Sequence, residues 1–239
     1  VLFNHIKLVS FALLLSIASQ ASAQQTTRPT HIQATYEVTK NGQPFARVKE
    51  QFIVSENGYK IESVTKGVGV YSLLGDRMLA SSGEVAAQGL KPARFELRQG
   101  DNAKKFLLSE FDWTHQTLRM TVKGKVKETP LAEGTQDLAS YAYQFMFLPA
   151  PIQDAINVTL TTGKKVNQYQ YKVASEHENV EAAGIRYKTL HLMQSDQQDK
   201  TETKELWLAV EQYHLPVRIL MVDENGQKLE QTLTELHVE

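Results

Sequence analysis

The sequence predicts a mainly β fold: a strongly curved antiparallel sheet, or incomplete barrel, of about 11–12 strands. One main helix and one short helical segment are expected to act as plug or lid. Three observations carry this expectation. Apolar residues recur at every second position through most of the chain, the mark of strands with one buried face. Asn41-Gly42, Asn57-Gly58 and Asn225-Gly226 separate such runs, and this dipeptide suits the positive φ of tight hairpin turns. Helical periodicity is too scarce to supply the crossovers that parallel strands need.

Residues 1–23 read as a secretory signal peptide, cleaved after Ala23. His5 and Lys7 form a basic start, residues 8–17 an apolar run, and Ala21-Ser22-Ala23 a small-x-small cleavage pattern. The run is about half as long as the ~20 residues of a spanning helix, so no membrane anchor is expected. Residues 24–30 are a polar tether, and 31–239 a single β-rich domain. The sequence has 0 cysteines. A bacterial lipoprotein carries its lipid on a cysteine, so a lipid tether is excluded, as are disulfides, thiolate metal sites and cysteine nucleophiles. The expected location is therefore periplasmic, and the product neither membrane-spanning nor a lipoprotein.

Strands follow in order. Ile32, Ala34, Tyr36 and Val38 share one face of the first, and residues 45–54 and 59–64 follow across the first two Asn-Gly turns. Residues 78–85, 93–98, 105–113, 117–122, 157–160, 167–173, 185–193, 203–208, 215–222 and 227–237 alternate likewise. The one long interruption spans residues 134–148. There Leu138, Tyr141, Ala142, Phe145 and Met146 fall at helical spacing, with Thr135 or Asp137 as cap and Pro149 and Pro151 as stop. A short helical turn is expected at residues 68–74, between Gly67 and Gly75.

The formal net charge of −1 argues against a phosphate-backbone partner, which needs a concentrated basic face. The clusters around Lys123-Gly124-Lys125 and Gly163-Lys164-Lys165 are read as solvated hairpin tips. No His-x-x-x-His pair, Gly-x-Ser-x-Gly elbow or Gly-rich phosphate loop occurs. Asp112 and His115 fall across a strand end, where both are expected to be solvated. His191 is expected to be packed or hydrogen-bonded, and Trp113, Trp207, Phe106, Phe111, Tyr169 and Tyr171 to fill the core. No catalytic residue, metal or cofactor is expected.

A sheet this long must curl to bury one face, and so little helix cannot cover it. The curled sheet can therefore leave an apolar interior partly empty. Val70, Tyr71, Leu73 and Leu74, with Tyr141, Phe145 and Met146, are the candidate ligand-binding residues of a lid over it. The expected ligand is an apolar or acylated small molecule. The alternatives are an envelope assembly factor with a packed barrel and, less favoured, an enzyme of cell-wall or polysaccharide metabolism.

Several local patterns occur together. Tyr36-Glu37-Val38-x-x-Asn41-Gly42, Gly58-Tyr59-Lys60-Ile61-Glu62-Ser63, Gly89-Leu90-Lys91-Pro92 and Phe111-Asp112-Trp113 come first. Gly134-Thr135-Gln136-Asp137-Leu138, Thr189-Leu190-His191-Leu192, Glu205-Leu206-Trp207-Leu208 and Leu215-Pro216-Val217-Arg218-Ile219 follow. In this order the chain resembles the exported bacterial family known as domain of unknown function 3108. The resemblance covers essentially the whole chain after Ala23 and implies no catalytic residues. It also implies a shape similar to the open barrels of periplasmic lipoprotein carriers.

Overall fold

The computed structural model describes residues 28–100, 105–149, 151–152, 155–195 and 202–239. The expected signal peptide, its cleavage point and most of the tether lie outside the described residues. Strands β1 (His31–Lys40), β2 (Gln43–Ser55) and β3 (Gly58–Gly67) form a meander, and a 3-10 turn, Gly69–Leu74, leads onward. Then come β4 (Arg77–Ala86), β5 (Gly89–Gln99), β6 (Leu107–Asp112), β7 (Thr117–Val122) and β8 (Lys125–Pro130). A two-residue strand, β9 (Gln136–Asp137), precedes the helical turn α1 (Tyr141–Gln144) and a 3-10 turn, Phe145–Phe147. The second half comprises β10 (Ala155–Thr161), β11 (Val166–Ala182), β12 (Ile185–Gln194), β13 (Glu202–Ala209), β14 (Leu215–Asp223) and β15 (Lys228–Val238).

All fifteen strands belong to one sheet, in the order β8-β7-β6-β5-β4-β3-β2-β1-β15-β14-β13-β12-β11-β10-β9. Two consecutive meanders meet where β1 and β15 pair antiparallel, with Ile32 opposite Val238. The expected mainly β, curved and unclosed sheet is the fold observed. Its two edges are β8 and β9, yet they face one another. The chain runs directly from β8 into β9, which pairs parallel with β10, Gln136 opposite Leu160. Across the gap Thr161 Oγ1 lies 3.4 Å from Met120 Sδ. Gly163, at φ +82°, packs against Leu107 and Phe95. Side chains close what backbone hydrogen bonds leave open.

Fifteen strands stand against the predicted 11–12; thirteen match the runs named from the sequence, and β8 and β9 are the two that carry no period-two signal. In β8, Lys-Val-Lys-Glu-Thr-Pro is exposed almost throughout. Such an edge needs no apolar face, and its lysines and Pro130 discourage pairing with another chain. Lys123-Gly124, at φ 51° and 76°, forms the turn before it, as the hairpin-tip reading anticipated. The helix expected over 138–148 shrinks to α1 and the adjoining 3-10 turn. Asp137 Oδ1 accepts from the N–H groups of Ala139 and Ser140 at 2.8 and 2.9 Å, turning the chain as a cap does. The helical stripe fails because this segment is enclosed by the curled sheet. Ala139, Ser140 and Tyr143, off the stripe, are as buried as Phe145 and Met146.

Three apolar clusters form the core. One joins β1–β7 to the plug through Phe52, Ile61, Phe95, Leu118 and Tyr143. Another joins β10–β14 to Phe145 through Tyr171, Leu192, Leu206 and Leu208. In the third, Val180, Ala182 and Tyr187 at the tip of the long β11–β12 hairpin pack with Tyr36, Trp207, Val217 and Leu233. The Ala183 N–H donates to the Leu233 carbonyl at 3.0 Å. The strand expected over 167–173 extends to Ala182, because the polar second half of β11 buries only its tip and carries no alternation.

Candidate functional site

Where the three clusters meet, the packing is incomplete. A cavity of about 300 Å³ is bounded by β1–β4, β10, β13–β15 and the plug. Strand alternation supplies its walls. Tyr36 and Val38 point inward from β1, Val48 and Glu50 from β2, Ser63 and Thr65 from β3, Arg77 and Leu79 from β4. Ile219, Met221 and Leu229 face them, and Leu138, Ala139, Tyr141 and Ala142 come from the plug. The floor residues Tyr36, Val48 and Leu79 are buried, whereas Val38, Phe45, Thr65, Arg77, Met221 and Leu229 are half-buried. The cavity therefore deepens from a rim formed by the end of β1, the start of β2 and the β3–β4 connection.

That connection is the 3-10 turn. Its Val68 N–H donates to the Phe45 carbonyl at 2.9 Å, and the Tyr71 and Phe45 rings stand 4.6 Å apart, tilted. Gln99 Nε2 donates to the carbonyls of Leu74 and Gly75 at 3.0 and 2.8 Å. A Cβ on Gly67 would overlap the Tyr71 carbonyl, so this glycine serves close approach rather than freedom to move. The anchored turn holds Val70, Leu73 and Leu74 outward, 77%, 89% and 60% exposed.

The plug is pinned to the sheet by polar contacts. Ser81 Oγ donates to Asp137 Oδ2 at 2.6 Å, and Tyr59 Oη lies 3.0 Å from Ser81 Oγ. Burial pushes the Asp137 carboxyl up to about 6, against the pull of its donors. Gln136 Nε2 donates to the Leu90 carbonyl, and Gln144 takes the Leu90 N–H and donates to the Gln88 carbonyl.

Three charged groups line the cavity. Glu50 accepts from Ser63 Oγ at 3.1 Å and Tyr143 Oη at 3.2 Å, and burial raises its pKa despite both. Lys204 pairs with Glu202 at 3.0 Å and stands over the Tyr169 ring at 4.8 Å. The Arg77 guanidinium has neither a hydrogen bond nor an ion pair among the described residues.

Of the sequence candidates, Tyr141 lines the cavity, and Tyr71 touches the rim residue Phe45. Val70, Leu73 and Leu74 stand outside the cavity. Phe145 and Met146 are buried in the two neighbouring clusters and do not line it. Arg77, Glu50 and Lys204 are not among the sequence candidates. Extending β4 one residue back would have put Arg77 on the same inward parity as Leu79 and Ser81, a charge where the pattern demands an apolar group.

The other singled-out residues serve the fold. Asp112 takes the His115 N–H at 2.9 Å and its ring nitrogen at 2.7 Å in an exposed turn, which lowers the carboxyl pKa. His191 stacks on Trp207 at 4.2 Å between Glu178 and Glu205. Phe111, Trp207 and Tyr171 are buried, while Phe106, Trp113 and Tyr169 are half-buried. No group of three or more His, Asp or Glu side chains is arranged to hold a metal among the described residues. No helix there is long and apolar enough to cross a membrane.

The family model described as protein of unknown function DUF3108 matches residues 33–234. Among solved structures, the chain is similar to a beta-barrel-like protein of domain of unknown function DUF1849 from Brucella abortus. That pair has a TM-score of 0.62 at 12% identity, covering 89% of this chain and 99% of the other, and so shares the fold. The crystal structure of MucB matches at a TM-score of 0.35 and 13% identity, covering 88% of this chain and 54% of that one. No curated protein matches.

Proposed function

The chain belongs to the DUF3108 family of proteins of unknown function, and from that premise we propose that it is a periplasmic, non-enzymatic binding module for an apolar or acylated ligand. The observation that carries this reading is the apolar-walled cavity of about 300 Å³ between the curved sheet and the plug. Cavities of about 300–1,000 Å³ with few polar groups are characteristic of small-molecule sites. This one is at the lower bound, which suits a single chain rather than a two-chain lipid. Export rests on the signal-peptide pattern of residues 1–23, and residues 31–239 act as one domain. In this reading Tyr141 contacts the ligand directly. Tyr71, Val70, Leu73 and Leu74 form the lip it passes, and Phe145 and Met146 support the plug from behind.

Native mass spectrometry of protein taken from the periplasm tests the reading. A co-purifying acyl compound is expected, and it should disappear in Ala142→Trp, which fills the cavity from the plug side. Wild-type protein that carries no such compound and takes up none from a mixed-lipid extract would overturn it. The exposed Val70, Leu73 and Leu74 also favour a second reading, contact with an envelope protein. Crosslinking from Leu73 in cells would then yield a stoichiometric protein adduct that persists in Ala142→Trp.

A further inference from the structure

Arg77 lines the cavity with a half-buried side chain that has no hydrogen-bond or ion-pair partner among the described residues. A charged side chain on the concave side of a sheet is costly unless paired, and one left unpaired in a partly desolvated site is costlier still. Burial lowers its pKa, although a guanidinium remains protonated throughout the working range. Its backbone pairs in the sheet with Thr65 and Gln99, but no described residue forms a hydrogen bond or an ion pair with its guanidinium. The Tyr141 hydroxyl is in the same position: it faces the cavity and has no hydrogen-bond partner among the described residues. It interacts electrostatically with both Arg77 and Lys204, so the three groups converge on one region. Burial raises the Tyr141 pKa, which keeps its hydroxyl a donor at neutral pH.

Two unused donors and a nearby ammonium among apolar walls define a complementary ligand. The cavity's own anion, Glu50, does not serve, because it is held by Ser63 and Tyr143 and forms no ion pair with Arg77. We propose that Arg77, with Tyr141 and Lys204, receives the anionic end of a single-chain amphiphile whose hydrocarbon occupies the cavity. Carboxylate and phosphate share the chemistry that a guanidinium fork recognises. The inference rests on the binding-module reading and names the ligand's polar end.

Calorimetric titration of the delipidated protein with three probes of equal chain length, each below its micellar concentration, tests it. Dodecanoate and dodecyl phosphate carry the two candidate anions, and dodecanol carries none. At least one anionic probe should bind about tenfold or more tightly than dodecanol, as charged hydrogen bonds allow; the better one identifies the head group. Arg77→Met should abolish that preference while dodecanol affinity holds, and Arg77→Lys should keep part of it. Tyr141→Phe should reduce it. Arg77→Met removes an unpaired charge, so it should fold at least as well as wild type, which its Tm verifies.

Lys66 is the control cation: it is exposed on the outward parity of β3 and paired with Asp76 at 3.2 Å. Lys66→Met should leave the preference intact, and a matching loss there would overturn the proposal. Equal binding of dodecanol and both anions to wild type would overturn it while leaving the binding-module reading standing. Failure of all three probes would overturn both.

Discussion

Asp137 has no exposed surface, and its carboxyl is pushed up to about 6 from an ordinary 3.8. The folded protein thus holds this proton more tightly than the unfolded chain does. Between about pH 4 and pH 6 the native state binds more protons, so stability falls as pH rises and levels off above about 6. The gap corresponds to about 3 kcal/mol. Asp137→Asn should flatten most of that slope, measured by urea denaturation from pH 4 to pH 7. An Asn oxygen still accepts from Ala139 and Ser140, and its amide can donate to Ser81. Glu50, shifted in the same direction by burial, should leave a residual slope of the same sign. A wild type whose stability rises through this window would contradict both assignments. Neither carboxylate announced itself in the sequence. Asp137 reads as a helix cap, which it partly is, but its one bond from Ser81 joins residues that only the fold brings together.

At the scale of elements, the plug and the lip differ in what holds them. A Cβ on Gly89, at φ +141°, would overlap the Gln144 amide that ties α1 to the β4–β5 turn. Gly89→Ala should therefore destabilise by about 2–4 kcal/mol, through backbone strain and the displaced glutamine. Gln144→Ala, which orphans the Leu90 N–H, should cost about 1–3 kcal/mol. Chemical denaturation of both variants gives these values, and a neutral Gly89→Ala would deny that the plug is pinned here. The lip should behave oppositely. Leu73→Ser, at 89% exposure, should leave stability within about 0.5 kcal/mol while slowing acyl-probe uptake in stopped-flow fluorescence. A large loss of stability would mean the turn is packed rather than presented.

For the whole molecule, the decisive contact is between β1 and β15, residues about as far apart as the chain permits. Such pairing pays its loop-closure entropy before any reward, so folding should be slow and all-or-none. Removing residues 229–239 should abolish cooperative thermal unfolding, seen by calorimetry, because both meanders lose their shared neighbour. Sequence patterning by itself determined the mainly β class, most of the strands and hairpin turns, and the existence of a small plug, because period two and Asn-Gly geometry are local properties. It also singled out Tyr141 and the apolar turn at 68–74. Tertiary structure decided the rest: the near-meeting of edges β8 and β9, the enclosure that broke the helical stripe, and the cavity flanked by Arg77, Glu50 and Lys204. A strand's alternation tells which side chains point inward, but not which inward faces meet, nor whether enough side-chain volume arrives there to fill the space between them.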